Sequence, residues 1–276
     1  MVEPSVHWHP LLYAGSAEYY AIGRVRYPPA LADALAEHLR LDGTGRLLDV
    51  GCGPGNFTLL LGPWFEQVIG IDADREMLAV AARQATGAGI ANVDWLQSRA
   101  EELPAGLGRF QVISFAQSFH WLDQLAVARI VLGMLTDRGA CVHVHAKTHE
   151  GIGTDAVLAN PQPPRAAIDE LVQRYLGPRP GGKGLLPAEK ADREDEIWRA
   201  AGFRDLHRID IPGQAVDRTS DQIVAAIFSL SSSTPHLFGD RRSTFEADLR
   251  RLLHQASPTG VFSEQMQGIA AEIWRP

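Results

Sequence analysis

Three glycines in five positions, Gly51, Gly53 and Gly55, follow the apolar run Leu47-Leu48-Asp49-Val50 and precede apolar residues at helical spacing, Phe57, Leu60, Leu61 and Trp64. This is the pattern of a strand, a tight turn and a helix. Glycine is required where the backbone takes φ > 0 or where a ligand meets the main chain with no Cβ in the way. The third glycine falls one position early for the G-x-G-x-x-G pyrophosphate fingerprint, whose last position is held by Asn56, and Pro54 lacks the N–H that a phosphate would use. About twenty residues on, the run Val68-Ile69-Gly70-Ile71 ends in Asp72, an acid placed to accept hydrogen bonds from ribose hydroxyls at the tip of a second strand. Together these residues suit a ligand that carries a nucleoside but no diphosphate, which argues against a nicotinamide-dependent oxidoreductase.

The stretch from Leu47 to Thr58 resembles motif I of the class I S-adenosylmethionine (SAM)-dependent methyltransferases, and Asp72 resembles their ribose-binding acid. The resemblance extends from about residue 15 to the end of the chain. It implies a Rossmann-like α/β fold, with a seven-stranded, mostly parallel sheet, helices on both faces and a helical cap formed by insertions. It also implies that the last strand runs antiparallel between strands five and six. The run Tyr20 to Pro28 resembles an N-terminal element that folds over the cofactor, with Arg24 pairing with the methionine carboxylate. The residues matching Ala100 and Glu101 meet the adenine in relatives. The cofactor set implied for SAM, and for its product S-adenosylhomocysteine, is Tyr20, Arg24, Asp49, Gly51, Cys52, Gly53, Asn56, Asp72, Ala73, Met77, Ala100, Glu101, Ala116 and Gln117.

Acceptor chemistry belongs beyond the carboxyl ends of the strands, near the switch in strand order. The fourth strand, Phe110 to Phe115, exits into Ala116-Gln117-Ser118-Phe119-His120-Trp121-Leu122-Asp123. Its Phe-His-Trp run resembles one branch of small-molecule methyltransferases, and His120 is the group there suited to take a proton near neutral pH. Tyr13, Phe119, Trp121 and Phe228 are candidate linings for an acceptor pocket. The Asn/Asp-Pro-Pro-aromatic sequence with which nucleic-acid amino-methyltransferases hold an exocyclic amine is absent here. The donor motifs do not separate methyl transfer from a cyclase that uses the sulfonium as a fixed charge.

The 276 residues carry a formal net charge of −7, which disfavours nucleic acid as a partner. His143 and His145 share a face of a strand, with His149 beyond, but no carboxylate or cysteine follows at metal-ligand spacing, so no metal is expected. Cys52 and Cys141 make a poor disulfide framework and suit a reducing compartment. No charged and apolar leader and no run of about 18 apolar residues is present, so a cytoplasmic protein is expected, as monomer or homodimer, with no membrane partner.

The elements needed to position these groups follow in order. Residues 1–45 read as an N-terminal helical lid segment. Residues 46–276 read as the SAM-binding α/β domain, with cap insertions at about 150–190, rich in proline and glycine, and at about 218–258. The sixth strand is expected over Phe203 to Ile211, and the seventh over either Val261 to Met266 or Ile269 to Trp274.

Overall fold

The computed structural model describes residue 9, residues 11–177 and residues 191–276. The Gly181 to Gly184 run and the end of the first expected cap insertion, residues 178–190, therefore lie outside the described residues.

Seven strands form one sheet: β1 (Arg46–Val50), β2 (Gln67–Asp72), β3 (Val93–Gln97), β4 (Phe110–Ala116), β5 (Leu135–His145), β6 (Asp205–Ile211) and, last in the chain, β9 (Ile269–Arg275). Their order is β3-β2-β1-β4-β5-β9-β6. The pairs among β1 to β5 are parallel, and β9 is antiparallel to both β5 and β6. Central strands are apolar throughout because both faces are covered. Leu48, Val50, Ile113 and Phe115 join one core, with Val127, Val131 and Trp198. Leu47, Val68, Val112 and Val142 join the other, with Leu31, Leu35 and Leu61.

The helices that cover the sheet are α2 (Pro29–Leu39) and α3 (Asn56–Leu61), then α4 (Arg75–Gly87), α5 (Gln124–Met134) and α7 (Ala191–Ala201). Proline opens α2 at a position where no intrahelical N–H is needed. Asp74 caps α4 by accepting from the backbone of Glu76 and Met77. In β5 the Asp137-Arg138-Gly139 stretch, turn-like in composition, is a register shift between the pairs of Phe110 and Val112 within one continuous strand.

A second unit stands beyond the sheet. β7 (Ala215–Thr219) and β8 (Val261–Gln265) pair antiparallel as a separate two-stranded ribbon, so Val261 to Met266 is not the seventh strand of the main sheet. Around it pack α6 (Arg165–Leu176), α8 (Ser220–Phe228), α9 (Pro235–Phe238) and α10 (Arg242–Ala256). They enclose their own core of Ile168, Ile223, Phe228, Phe245, Leu249 and Phe262. Phe228 is spent there and does not line an acceptor pocket.

The N-terminal helix α1 (Ala17–Gly23) docks on α8. A Cβ on Gly23 would fall 2.2 Å from the Ala226 nitrogen, so only glycine permits this approach. No helix among the described residues is long and apolar enough to cross a membrane.

Candidate active site

The loop after β1 is shaped by backbone conformation. Gly51 and Gly53 have φ of 66° and 54°, in the left-handed region that favours glycine. A Cβ on Gly51 would stand 2.5 Å from Cβ of Ser118, whereas a Cβ on Gly53 would meet nothing within 4 Å. The first glycine therefore lets the post-β4 loop close on the post-β1 loop, and the second leaves main chain bare toward a ligand. Ser118 completes the closure by donating its hydroxyl to the Val50 carbonyl at 2.5 Å.

Asp49 lies beneath this loop, fully buried, accepting from Thr58 Oγ1 at 2.5 Å and Ser114 Oγ at 2.7 Å. Burial pushes its carboxyl up to about 6, and the two hydroxyls hold it back from rising further. The structure thus gives Asp49 the work of joining β1, β4 and α3 under the cradle; it is not among the residues that line the cavity above.

That cavity holds about 990 Å³ of space, open solvent at its mouth included. Gly51, Cys52, Gly53 and Asn56 line it from the first loop, and Asp72, Ala73 and Met77 from the end of β2 and the start of α4. Ala100 and Glu101 line it from the turn after β3, Ala116 and Gln117 from the end of β4, and Tyr20 from the N-terminal helix. Twelve of the fourteen residues expected at the cofactor thus line one cavity; the two that do not are Asp49 and Arg24.

Asp72 is aimed by its neighbours. Gly53 N donates to one carboxylate oxygen and Asp74 N to the other, both at 2.8 Å. Burial raises its pKa to about 6, against these two bonds. At the opposite side Glu101 accepts from Asp123 N at 3.1 Å and from Arg99 Nε at 3.3 Å. Gln117 has φ 58°, a strained value for a non-glycine residue, and its amide donates to Tyr27 OH at 3.1 Å.

Arg24 is placed differently from the expectation. Its guanidinium donates to Ser229 Oγ at 2.8 Å and to the Ser229 carbonyl at 3.0 Å, while lying 4.4 Å from the centre of the Tyr20 ring. It ties the N-terminal segment to the cap, and the cavity-facing group is the Tyr20 ring that it backs. Sequence reading could not see this because Ser229 is 205 residues away.

His120 is also outside the cavity lining, whereas its neighbours Ser118, Trp121 and Leu122 are within it. The His120 ring sits 4.8 Å from that of Trp121. Burial, and then the nearby His145, lowers its pKa to about 4, so the imidazole is neutral at pH 7. Phe119 points into the core, stacked on Trp198 at 4.5 Å, and does not line a pocket.

The cavity has an aromatic side. Tyr13 meets Tyr20 edge-on at 6.3 Å and Trp121 at 6.1 Å, and all three line the space. Tyr27 and Thr148, also in the lining, were not expected. Tyr27 belongs to the same short Tyr20 to Pro28 run, which was its available signal; Thr148 arrives only through the β5 exit, where its carbonyl accepts from Val25 N at 2.8 Å.

The expectation for the histidines at the end of β5 needs a correction. Antiparallel pairing of β9 sets Glu272 directly opposite His143, so a carboxylate does join His143 and His145. His149 turns away, toward Arg24 and Glu150.

Comparison with known proteins agrees with this geometry. Residues 47–139 match the profile of a family described as "Methyltransferase domain". Residues 47–139 thus carry a methyltransferase domain. The chain is 36% identical over 97 residues to the uncharacterized methyltransferase YcgJ of Bacillus subtilis, which is 35% of this chain and 36% of that relative. The chain thus spans about a third of that curated relative's length. The crystal structure of YcgJ superposes with a TM-score of 0.50 at 18% identity, covering 88% of this chain and 97% of that one. The [4+2]-cyclase SpnF superposes with a TM-score of 0.51 at 21% identity, covering 96% and 92%. At these identities the two structures speak for the fold of the methyltransferase domain and not for its acceptor.

Proposed function

We propose that this chain transfers a methyl group from SAM to a small-molecule acceptor. The observation that carries the reading is one cavity in which a bare glycine cradle and an aimed ribose-type acid, Asp72, face an aromatic wall of Tyr13, Tyr20 and Trp121.

The residues fit the cofactor. The open side of Gly53 leaves room for the ligand against the main chain, Asp72 would offer a carboxylate to ribose hydroxyls, and Ala100 with Glu101, in the same lining, would hold the adenine. SAM supplies a methyl group already activated on a sulfonium. The chain's own work is then to hold the acceptor in line and to exclude water, and orientation of this kind is worth about 7–11 kcal/mol of barrier. Tyr27, Gln117 and Thr148 form a hydrogen-bonded chain at the exit of β4, in position to orient the reacting groups.

His120 is a weak base behind Trp121. We assign it the seating of that indole, and the acceptor brings a nucleophile that needs no strong base. The formal charge of −7 supports a small acceptor over a polyanion.

The test is a screen with methyl-tritiated SAM against small acids, amines and phenols, and separately against bulk RNA and DNA. Label on a small molecule supports the reading. Label on nucleic acid only, or adenosyl-ligand binding with no transfer to any class, contradicts it.

A further inference from the structure

We propose that His143, His145 and Glu272 form a zinc site at the carboxyl end of β5, outside the lining of the methyl-transfer cavity and with Glu194 beside it. This inference does not depend on the proposed activity.

His143 and His145 project from the same face of β5, and β9 brings Glu272 opposite His143. A nitrogen from each histidine and a carboxylate oxygen of Glu272 all lie within 4.8 Å of one another. Glu194, on α7, approaches from the side: its Oε2 is 3.8 Å from His143 Nδ1. His145 Nε2 is 3.4 Å from Glu272 Oε2. Two ligands each about 2.1 Å from a tetrahedral ion stand about 3.4 Å apart; His145 and Glu272 already have that spacing, and the other ligand atoms need to draw in toward an ion.

His143 Nδ1 has no hydrogen-bond partner, although the His143 side chain is only 3% exposed. A buried imidazole nitrogen with no partner is costly, and a cation held between it and the carboxylates would remove that cost. Both carboxylates are themselves buried, at 10% exposure for Glu194 and 11% for Glu272.

The neighbourhood leaves those ligand atoms in place. Glu194 Oε1 accepts from Gln124 Nε2 at 2.9 Å, and Glu272 Oε1 faces Arg208 Nη1 at 3.7 Å, which leaves the Oε2 atoms toward the histidines. Such outer partners orient first ligands in metal centres. A surface depression lined by His145, Arg208 and Asp210 reaches the cluster from solvent, so an ion has a way in. Two imidazoles and a carboxylate suit a first-row divalent ion, and Glu194 is the side chain beside them that could fill the fourth position. The site would clamp β5, β9 and α7 beneath the post-β4 loop, where Phe119 packs on the His143 ring at 5.2 Å.

The test uses tag-free full chain, dialysed against chelator and titrated calorimetrically with ZnCl₂, with Co²⁺ visible spectra as a second readout. The expected result is one Zn²⁺ per chain, a tetrahedral Co²⁺ spectrum, and binding weakened about 100-fold or more in both His145→Ala and Glu272→Gln. A thermal unfolding midpoint for chelator-treated Glu272→Gln equal to that of the chelator-treated wild type would show that this isosteric variant is folded. No zinc binding by the wild type, or wild-type affinity retained in either variant, overturns the proposal. So does loss of binding in His38→Ala, which would move the ion to the stacked pair His38 and His207, whose rings are 3.9 Å apart.

Discussion

The donor half and the cap half of this molecule are built by different means. The donor cradle is a matter of backbone: left-handed glycines at 51 and 53, two amides aiming Asp72, and a serine closing one loop on another. The cap is a matter of side chains, with its own apolar core and a network in which Arg218 and Arg165 share Glu264. The N-terminal segment bridges the two: its Tyr20 faces the cavity while its Gly23 and Arg24 grip α8 and Ser229. A site made by local backbone geometry tolerates little change, and a cap made by packing can vary its contents so long as it fills.

This contrast can be tested from both sides. The largest effect is expected on the donor side, where Asp72→Ala removes the carboxylate held between two amides. A loss of charge-assisted hydrogen bonds to both ribose hydroxyls corresponds to about 100-fold in SAM affinity, measured by calorimetry with thermal unfolding as the fold control. On the bridge, Gly23→Ala forces a Cβ to 2.2 Å from the Ala226 backbone, and an unfolding free energy lower by about 1–3 kcal/mol is expected in denaturant titration. An unchanged midpoint would mean that α1 does not dock on α8 as described.

Arg24 distinguishes tying from ligand binding. A double-mutant cycle of Arg24→Ala with Ser229→Ala is expected to show coupling of about 1.5 kcal/mol in stability. If coupling is absent and SAM affinity alone falls, Arg24 meets the cofactor as the resemblance had implied.

The next effect is pH dependence. Asp72 has its pKa raised by burial from 3.8 to about 6, so its protonated form favours the folded state and that contribution is lost as pH rises between those values. Ribose hydroxyls need the ionised form. SAM affinity is therefore expected to weaken about tenfold per pH unit below about 6, a slope that Asp72→Asn should abolish. The smallest effect is expected for His120→Asn, within about threefold in kcat, because the ring stands behind Trp121 and is a weak base. A loss of several hundredfold with a changed pH profile would restore it as the base.

The same division explains what the sequence made legible. Glycine spacing and an acid at the end of the next strand are local signals, and the twelve lining residues they led to are mostly main chain or short side chains at strand ends. The position of the last strand was open between two segments because Val261 to Gln265 and Ile269 to Arg275 are both strands; only the partner, β7 for one and β5 with β6 for the other, separates them. β7 itself, with Ala215 and Asp217 exposed, carries too few buried positions to announce a strand. Arg24 with Ser229 and His143 with Glu272 are long-range pairs, whose register no spacing along the chain reveals.

The central claim is that the glycine cradle and Asp72 bind an adenosyl sulfonium and not a dinucleotide. Calorimetric titration of the wild-type chain with SAM, S-adenosylhomocysteine and NADH tests it most directly. Binding of both adenosyl ligands with no heat from NADH is the expected result. Binding of NADH in their place, or of none of the three, would contradict it.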